Sequence, residues 1–334
     1  MSENPNIAII GATGAVGEEM RLCLEKRNFP LKSLTLLASS RSAGKRLVFR
    51  GEELTVKELT HDAFEGIDIA LFSAGGGISR EFAPSAAAAG CLVIDNSSAF
   101  RMDPEVPLVV PEINPEAVKS VPRKIIANPN CSTIIALMGL APLHEAFGLR
   151  SIIASTYQAV SGSGAQGIVE LEEQVKAIAA GEPIETKVYP RQIAFNLIPQ
   201  VDAFTENGYT KEELKMLNEG RKILGLGEEL KVSCTCVRVP VYRSHSISIT
   251  AQFERPVDVA AARAAYDGKP GVQVRDDPEN GVFPVPLDTT GQDDCLVGRI
   301  RKNMVFNNAL DLWVVGDQVL KGAALNAVQI AEIL

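Results

Sequence analysis

The run Asn128-Pro129-Asn130-Cys131-Ser132-Thr133 sets a thiol among polar neighbours where a strand-like segment gives way to a long apolar stretch of helical character. The first turn of a helix carries unpaired N–H groups and the positive end of the macrodipole, both of which favour a thiolate over a thiol whose ordinary pKa is about 8.5. Cys131 therefore holds a nucleophile's position, with burial as a small core residue as the bland alternative. A nucleophile of this kind works with an acid/base partner, and the chain has three histidines. His61 falls in a polar turn, and His144 lies on the helix that Leu143 and Phe147 anchor to the core. His245, in Pro240-Val241-Tyr242-Arg243-Ser244-His245-Ser246, falls at a break between two β-rich runs and is the best partner for Cys131, against the reading of a satisfied structural histidine. Cys234 and Cys236 share one face of an alternating strand, where burial is favoured over metal binding because no third or fourth ligand lies nearby.

A second chemistry is written at the start of the chain. Ile7-Ala8-Ile9-Ile10 runs into Gly11-Ala12-Thr13-Gly14-Ala15-Val16-Gly17 and then a helical stretch. Glycines at such a strand-to-helix turn let backbone N–H groups approach a pyrophosphate, although a tight turn without a ligand would use the same residues. The place after the second strand, where NAD-binding loops carry an acid for the ribose hydroxyls, reads Ala38-Ser39-Ser40-Arg41-Ser42. A guanidinium beside hydroxyls suits a 2′-phosphate, so Arg41 and Ser42 favour NADP over NAD, with a solvated turn as the alternative.

These groups need a scaffold. Over the first hundred residues, strands near 6–10, 33–38, 68–73 and 91–95 alternate with helices over Gly14–Arg27 and Ser79–Ala89, and Lys45–Val56 has the rhythm of a hairpin. That pattern predicts an α/β, Rossmann-type parallel sheet. The Pro-rich stretch Asp103–Pro115, with Leu108-Val109-Val110 inside it, reads as a crossing between domains ahead of a strand near Lys124–Ala127. Beyond Ser132 the chain predicts a helix to Phe147, a strand at 152–158, a helix after Gly167 and long strands at 231–241 and 245–253, an α+β domain on a mostly antiparallel sheet. Apolar residues at helical spacing over 317–334 predict a final helix that needs a partner, and the resemblance of its start to a family's cofactor-contact segment implies that it returns to the first domain. The expected domains are thus 1–130 plus 317–334 and 131–316.

The chain's 334 residues suffice for about two domains at roughly 150 residues each. Its 33 basic against 41 acidic residues, a net charge of -8, and the lack of a dense basic run argue against nucleic acid. No apolar stretch approaches the roughly 18 residues of a membrane span, and Met1–Asn6 lacks the basic flank and apolar core of a signal peptide. A cytoplasmic protein without a membrane partner is expected. The six cysteines include no CxxC pair, which speaks against a disulfide framework and a zinc knuckle.

Seven motifs in order resemble those of the aspartate-β-semialdehyde dehydrogenases: Gly11–Gly17, Asp95-Asn-Ser-Ser98, Phe100-Arg-Met-Asp-Pro104, Val109-Val-Pro-Glu112, Asn128–Thr133, Ser155-Thr-Tyr-Gln158-Ala-Val-Ser-Gly162 and Leu320-Lys-Gly-Ala-Ala324. The resemblance spans nearly the whole chain. It implies an NADP- and phosphate-dependent enzyme that interconverts aspartate semialdehyde and β-aspartyl phosphate at the branch to lysine, methionine, threonine and isoleucine, and a homodimer joined through the second domain's sheet. By that likeness Cys131 carries the acyl group, His245 is the acid/base and Gln158 orients the thioester. Arg238 would bind the substrate's α-carboxylate, Glu212 its amino group, and Arg101 the phosphate with help from Lys215; Asn130 completes the substrate set. Gly11, Thr13, Gly14, Ala15, Val16, Arg41, Ser42, Ser161 and Gly162 correspond to cofactor contacts, as does Gln318, which stands where many members have Asn. No metal is implied. Two rival readings are an N-acetyl-γ-glutamyl-phosphate reductase, which shares the thioester logic but sets its cysteine differently, and a catalytically silent relative, against which the presence of both Cys131 and His245 argues.

Overall fold

A computed structural model describes residues 3–334, and the chain divides into two compact units: the residues up to Asn130 together with Ala323–Leu334, and Cys131–Gly322. The first unit opens with β1 (Asn6–Ile10), α1 (Ala15–Lys26) and β2 (Ser33–Ala38), continues through the hairpin of β3 (Arg46–Phe49) and β4 (Glu52–Thr55), and goes on to β5 (Lys57–Glu58), β6 (Ile69–Phe72), α2 (Gly76–Ala88), β7 (Leu92–Asp95) and β8 (Ile125–Ala127). Six strands pair in parallel in the order β5-β2-β1-β6-β7-β8. Ile7, Ile9, Ile10, Leu71 and Phe72 have no exposed surface, as strands covered on both faces require. The chain steps outward from β1 to β2 and β5, then crosses to β6, so strand order reverses between β1 and β6. In open α/β sheets the crevice beyond the carboxyl ends of the strands at such a point is where ligands bind.

The Pro-rich stretch does not cross between domains. Leu108, Val109 and Val110 are buried and lie beside β8, the Val109 N–H donating to the Ala127 carbonyl (3.1 Å) and the Ala127 N–H to that of Pro107 (2.8 Å). The apolar run is decisive here, because burying it against a free strand edge satisfies both its side chains and its backbone.

The second unit comprises α3 (Cys131–Phe147), β9 (Leu149–Gln158), α4 (Ala165–Ala180), α5 (Lys211–Leu224), β10 (Lys231–Arg238), β11 (His245–Phe253), α6 (Val259–Ala264), β12 (Val272–Val274), α7 (Pro286–Thr289), β13 (Cys295–Lys302) and β14 (Ala309–Gly316). Its sheet has the order β10-β9-β11-β14-β13-β12, antiparallel through its centre and parallel at both edges, hence mixed. Every residue of α3 from Ser132 to Leu143 is buried, so this helix is apolar all round and forms the unit's core against β9, β11, β13 and β14. Gly139 permits that approach, since a Cβ there would lie 2.5 Å from Val314 Cγ2. A capping box starts α5: the Thr210 N–H donates to Glu213 Oε2 (2.6 Å) and the Glu213 N–H to Thr210 Oγ1 (3.3 Å). Glu213 Oε1 also accepts the Cys236 N–H (2.9 Å), which ties the helix to β10 and sets the position of Glu212 and Lys215.

Helix α8 (Leu325–Glu332) belongs to the first unit. Arg27 donates to both carboxylate oxygens of Glu332 (2.6 and 2.7 Å), and the Asn326 amide donates to the Val109 carbonyl (3.0 Å) and to Asn128 Oδ1 (2.6 Å). The helix expected from residue 317 is shorter and its beginning sits elsewhere: a π-helical turn occupies Leu320–Ala324, and residues 317–322 stay with the second unit. The cause is the Asp317 carboxylate, which accepts the Val319 and Leu320 N–H groups and ends the regular ladder at that point.

Candidate active site

In the first unit, Gly11 takes φ +82°, and its N–H and that of Ala12 donate to the Leu37 carbonyl (2.8 and 3.1 Å). A Cβ at Gly17 would stand 2.2 Å from the Gly11 carbonyl oxygen, so glycine there lets α1 begin directly against the loop. Thr13, Gly14 and Ala15 are exposed and Val16 is half-buried at the helix start, where N–H groups lack intrahelical partners. Thr13 Oγ1 donates to Ser42 Oγ (3.2 Å), which fastens the glycine loop to the turn Ser40–Ser42 bearing the exposed Arg41. A glycine loop packed directly against a helix start, with the exposed Arg41 beside it, fits a dinucleotide.

Arg101 and Asn130, also in this unit, are buried. Arg101 lies apart from the glycine loop, donating from Nε to the Asn128 carbonyl (2.9 Å) and from Nη2 to that of Asn96 (2.7 Å). The loop that carries it is organised by Asp95, whose carboxylate accepts the Ser79 hydroxyl (2.6 Å), the Ser97 N–H (3.0 Å) and the Ser97 hydroxyl (2.7 Å). Part of the Asp95–Ser98 motif is therefore a brace.

In the second unit, Cys131 is the first residue of α3 and is partly exposed. Gly322 packs on it: a Cβ at 322 would lie 2.9 Å from Cys131 Cβ and 3.4 Å from that of Gln318. Both ends of the Gln318 amide are engaged, Nε2 with the Ser161 hydroxyl and Oε1 with the Ser244 N–H (2.8 Å). His245 follows Ser244 and is fully buried, and its Nδ1 accepts the Ala159 N–H (3.0 Å). That bond leaves the proton of a neutral ring on Nε2, a buried atom with no hydrogen-bond partner among the described residues. The Ala159 carbonyl in turn accepts from Arg238 Nη1 (2.7 Å), so the backbone of one residue holds both the imidazole and the guanidinium. Gly162 sits over the pair, since a Cβ there would stand 2.8 Å from Arg238 Nη1 and 3.3 Å from His245 Nε2. Burial, with the Arg238 charge adding to it, holds the His245 pKa well below its usual value of 6.5.

Gln158 is buried between Thr156, whose hydroxyl donates to its Oε1 (3.0 Å), and Glu212, whose Oε1 accepts from its Nε2 (3.1 Å). Lys215 donates to Glu212 Oε2 (2.8 Å) and Asp202 Oδ2 (3.1 Å). Burial pulls the Lys215 pKa down, but the two carboxylates outweigh it and the net shift is upward. The unit thus brings together Gln158, Glu212 and Lys215, and separately links Cys131, Gln318, Ser161, Gly162, Arg238 and His245. Sequence reasoning passed over Ala159, Thr156, Ser244 and Asp317. Ala159 acts through its peptide and gives no side-chain signal; Thr156 stood inside a quoted motif and was legible. The other histidines are structural: His144 Nδ1 accepts the Leu149 N–H (3.1 Å), and His61 stacks on Phe82.

A family model of the semialdehyde dehydrogenase NAD binding domain matches residues 6–121, and one of the semialdehyde dehydrogenase dimerisation domain matches residues 140–321. The aspartate-semialdehyde dehydrogenase of Aquifex aeolicus is 54% identical over 98% of this chain and 97% of its own. The chain belongs to the aspartate-semialdehyde dehydrogenase family. Among solved structures, aspartate semialdehyde dehydrogenase II from Vibrio cholerae complexed with ASA aligns with TM-score 0.97 at 46% identity, covering 100% of this chain and 98% of that one. Aspartate semialdehyde dehydrogenase from Candida albicans with NADP aligns with TM-score 0.79 at 27% identity, covering 99% and 98%. The parallel sheet is thus a family NAD(P)-binding domain and the mixed sheet a family dimerisation domain. Among the described residues, no helix is long and apolar enough to cross a membrane.

Proposed function

We propose that the protein interconverts β-aspartyl phosphate and aspartate β-semialdehyde, with NADP(H) and inorganic phosphate, through a thioester on Cys131, in the route to lysine, methionine, threonine and isoleucine. The observation that carries this reading is a helix-start thiol in the same unit as a buried imidazole whose Nε2–H has no partner among the described residues. Bound NADPH supplies the hydride, or NADP accepts it, and the rest falls to the chain's own groups. The Cys131 thiolate displaces phosphate from the acyl phosphate, forming a C–S bond as the C–O bond to phosphate breaks. Hydride addition gives a thiohemiacetal oxyanion, which collapses to the aldehyde and returns the thiolate. The thiolate is thereby regenerated without a general base at that step.

The protein's remaining task is to stabilise the oxyanion, and the His245 Nε2–H is a donor suited to it. A neutral imidazole held by a backbone contact and used as a donor is a known way of polarising a carbonyl. This narrows the acid/base role expected from sequence to donation from Nε2. Arg238 keeps donors free for the α-carboxylate, and Glu212, with Lys215 beside it, supplies charge for the amino group and phosphate. Arg41 and Ser42 favour the 2′-phosphate, and the neighbour with NADP supports that choice. A homodimer would use the sheet face opposite α3, where Ile153 and Tyr157 on β9 are 49% and 36% exposed.

Cys131→Ala and Cys131→Ser should abolish phosphate-dependent NADP reduction with aspartate semialdehyde while leaving NADP binding by titration intact. Peptide mass spectrometry of substrate-trapped enzyme should find the acyl group on Cys131. Activity retained by either variant, or a preference for N-acetylglutamate semialdehyde, would defeat the reading.

A further inference from the structure

Asp317 has no exposed surface and no role in the chemistry above, yet its carboxylate gathers four donors. Oδ1 accepts the Val319 and Leu320 N–H groups (3.0 and 3.2 Å), and Oδ2 accepts Arg243 Nε (2.6 Å) and the Gly291 N–H (2.8 Å). Its own carbonyl accepts the Gly322 N–H (3.0 Å). Three segments therefore meet on one side chain: the approach to β11, the loop after α7, and the turn over 317–322.

What those segments carry gives the knot its meaning. Arg243 is two residues before His245. Between them Ser244 is buried and held at φ +74°, a conformation that costs a non-glycine residue and persists only where its surroundings enforce it. The enforcing contacts are the Gln318 amide on its N–H (2.8 Å) and Thr290 Oγ1 on its hydroxyl (3.2 Å), from the neighbours of Asp317 and of Gly291. At the other end, Gly322 lies against Cys131, too close for any larger residue. One rigid turn thus touches the nucleophile's helix start and fixes the backbone from which the imidazole projects.

We infer that Asp317 is a positioning residue for the reaction, registering His245 against Cys131 through Arg243, Ser244 and the turn that ends at Gly322. The inference rests on the Cys131–His245 reading. A carboxylate suits the task because both oxygens act as acceptors for donors from three directions, whereas an amide of the same shape offers one acceptor oxygen and forces its NH₂ against a donor. Misplacement by about 1 Å is enough to cost on the order of a hundredfold in rate.

The test uses the full-length enzyme with Asp317→Asn, Arg243→Met and the double variant, with His245→Asn as the benchmark. Asp317→Asn should lower kcat by about 10- to 100-fold, with the KM for aspartate semialdehyde and NADP binding changed less than about threefold. It should also alter the pH profile of Cys131 alkylation by iodoacetamide, and the double variant should lose little beyond the worse single one because both act through one contact. Thermal melts check that Asp317→Asn folds; Arg243→Met, which leaves the buried carboxylate in place, supplies the second route should it not. Unchanged kcat and an unchanged alkylation profile in a folded variant would overturn the inference, as would strictly multiplicative losses. A His245→Asn enzyme with full turnover would instead bring down the Cys131–His245 reading itself.

Discussion

His245→Asn separates the Nε2–H from the Nδ1 acceptor, because the amide oxygen of Asn can replace Nδ1 as acceptor for the Ala159 N–H while nothing replaces the Nε2–H. Loss of one preorganised donor to an oxyanion costs about 10²- to 10³-fold in kcat, or roughly 2.7–4 kcal/mol. His245→Ala should lose the same rate and also leave the buried Ala159 N–H without an acceptor, a further cost of about 1–3 kcal/mol in stability. The assay is steady-state kinetics beside urea unfolding of wild type and both variants. Because burial lowers the His245 pKa, the ring is neutral from about pH 6.5 upward, and no limb of kcat/KM in that range should belong to it. Stability carries the matching sign. The unfolded imidazole binds a proton below about pH 6.5 while the folded one does not, so stability falls as pH drops below that value, by at most about 1.4 kcal/mol per pH unit for this proton. His144, also lowered by burial, is present in both proteins, so the difference between wild type and His245→Asn isolates His245. A kcat/KM limb between about pH 6.5 and 9 that disappears in His245→Asn would refute the argument and restore full acid/base transfer.

Arg41→Ala should weaken NADP by about 1.5–3 kcal/mol, the value of a charged hydrogen bond, and NAD hardly at all; equal losses by fluorescence titration would show that Arg41 does not read the 2′-phosphate. Gly17→Ala places a methyl 2.2 Å from the Gly11 carbonyl oxygen, so it should cost about 1–3 kcal/mol in urea unfolding and weaken both cofactors together. A stable variant with normal cofactor affinity would mean that the loop tolerates the shift.

Much of this protein is determined locally and can be read along the chain. Apolar runs such as Ile7–Ile10 and Leu92–Ile94 declare buried parallel strands, the glycines at 11 and 17 declare a turn that must touch a helix, and the uniformly apolar stretch after Ser132 declares a buried helix with Cys131 at its head. These are consequences of side-chain type and period, which need no partner to be visible. The Leu108–Val110 run was misleading because composition shows that a segment wants burial but not which edge receives it. The same limit hid the start of the final helix: apolar spacing continues through 319 and 320, yet the Asp317 carboxylate takes their N–H groups and the regular helix begins later. The proton on His245 is fixed by a peptide N–H 86 positions away, and Arg238 is held by the carbonyl of that same residue. Backbone groups are identical at every position, so no residue letter records which of them a fold will bring to an imidazole. Residue types decided that a thiol and an imidazole were available; only the packing of β9 against β11, and the contacts of the turn from Asp317 to Gly322 with Ser161, Arg243 and Ser244 beside those strands, decided which nitrogen faces the chemistry and what holds it there.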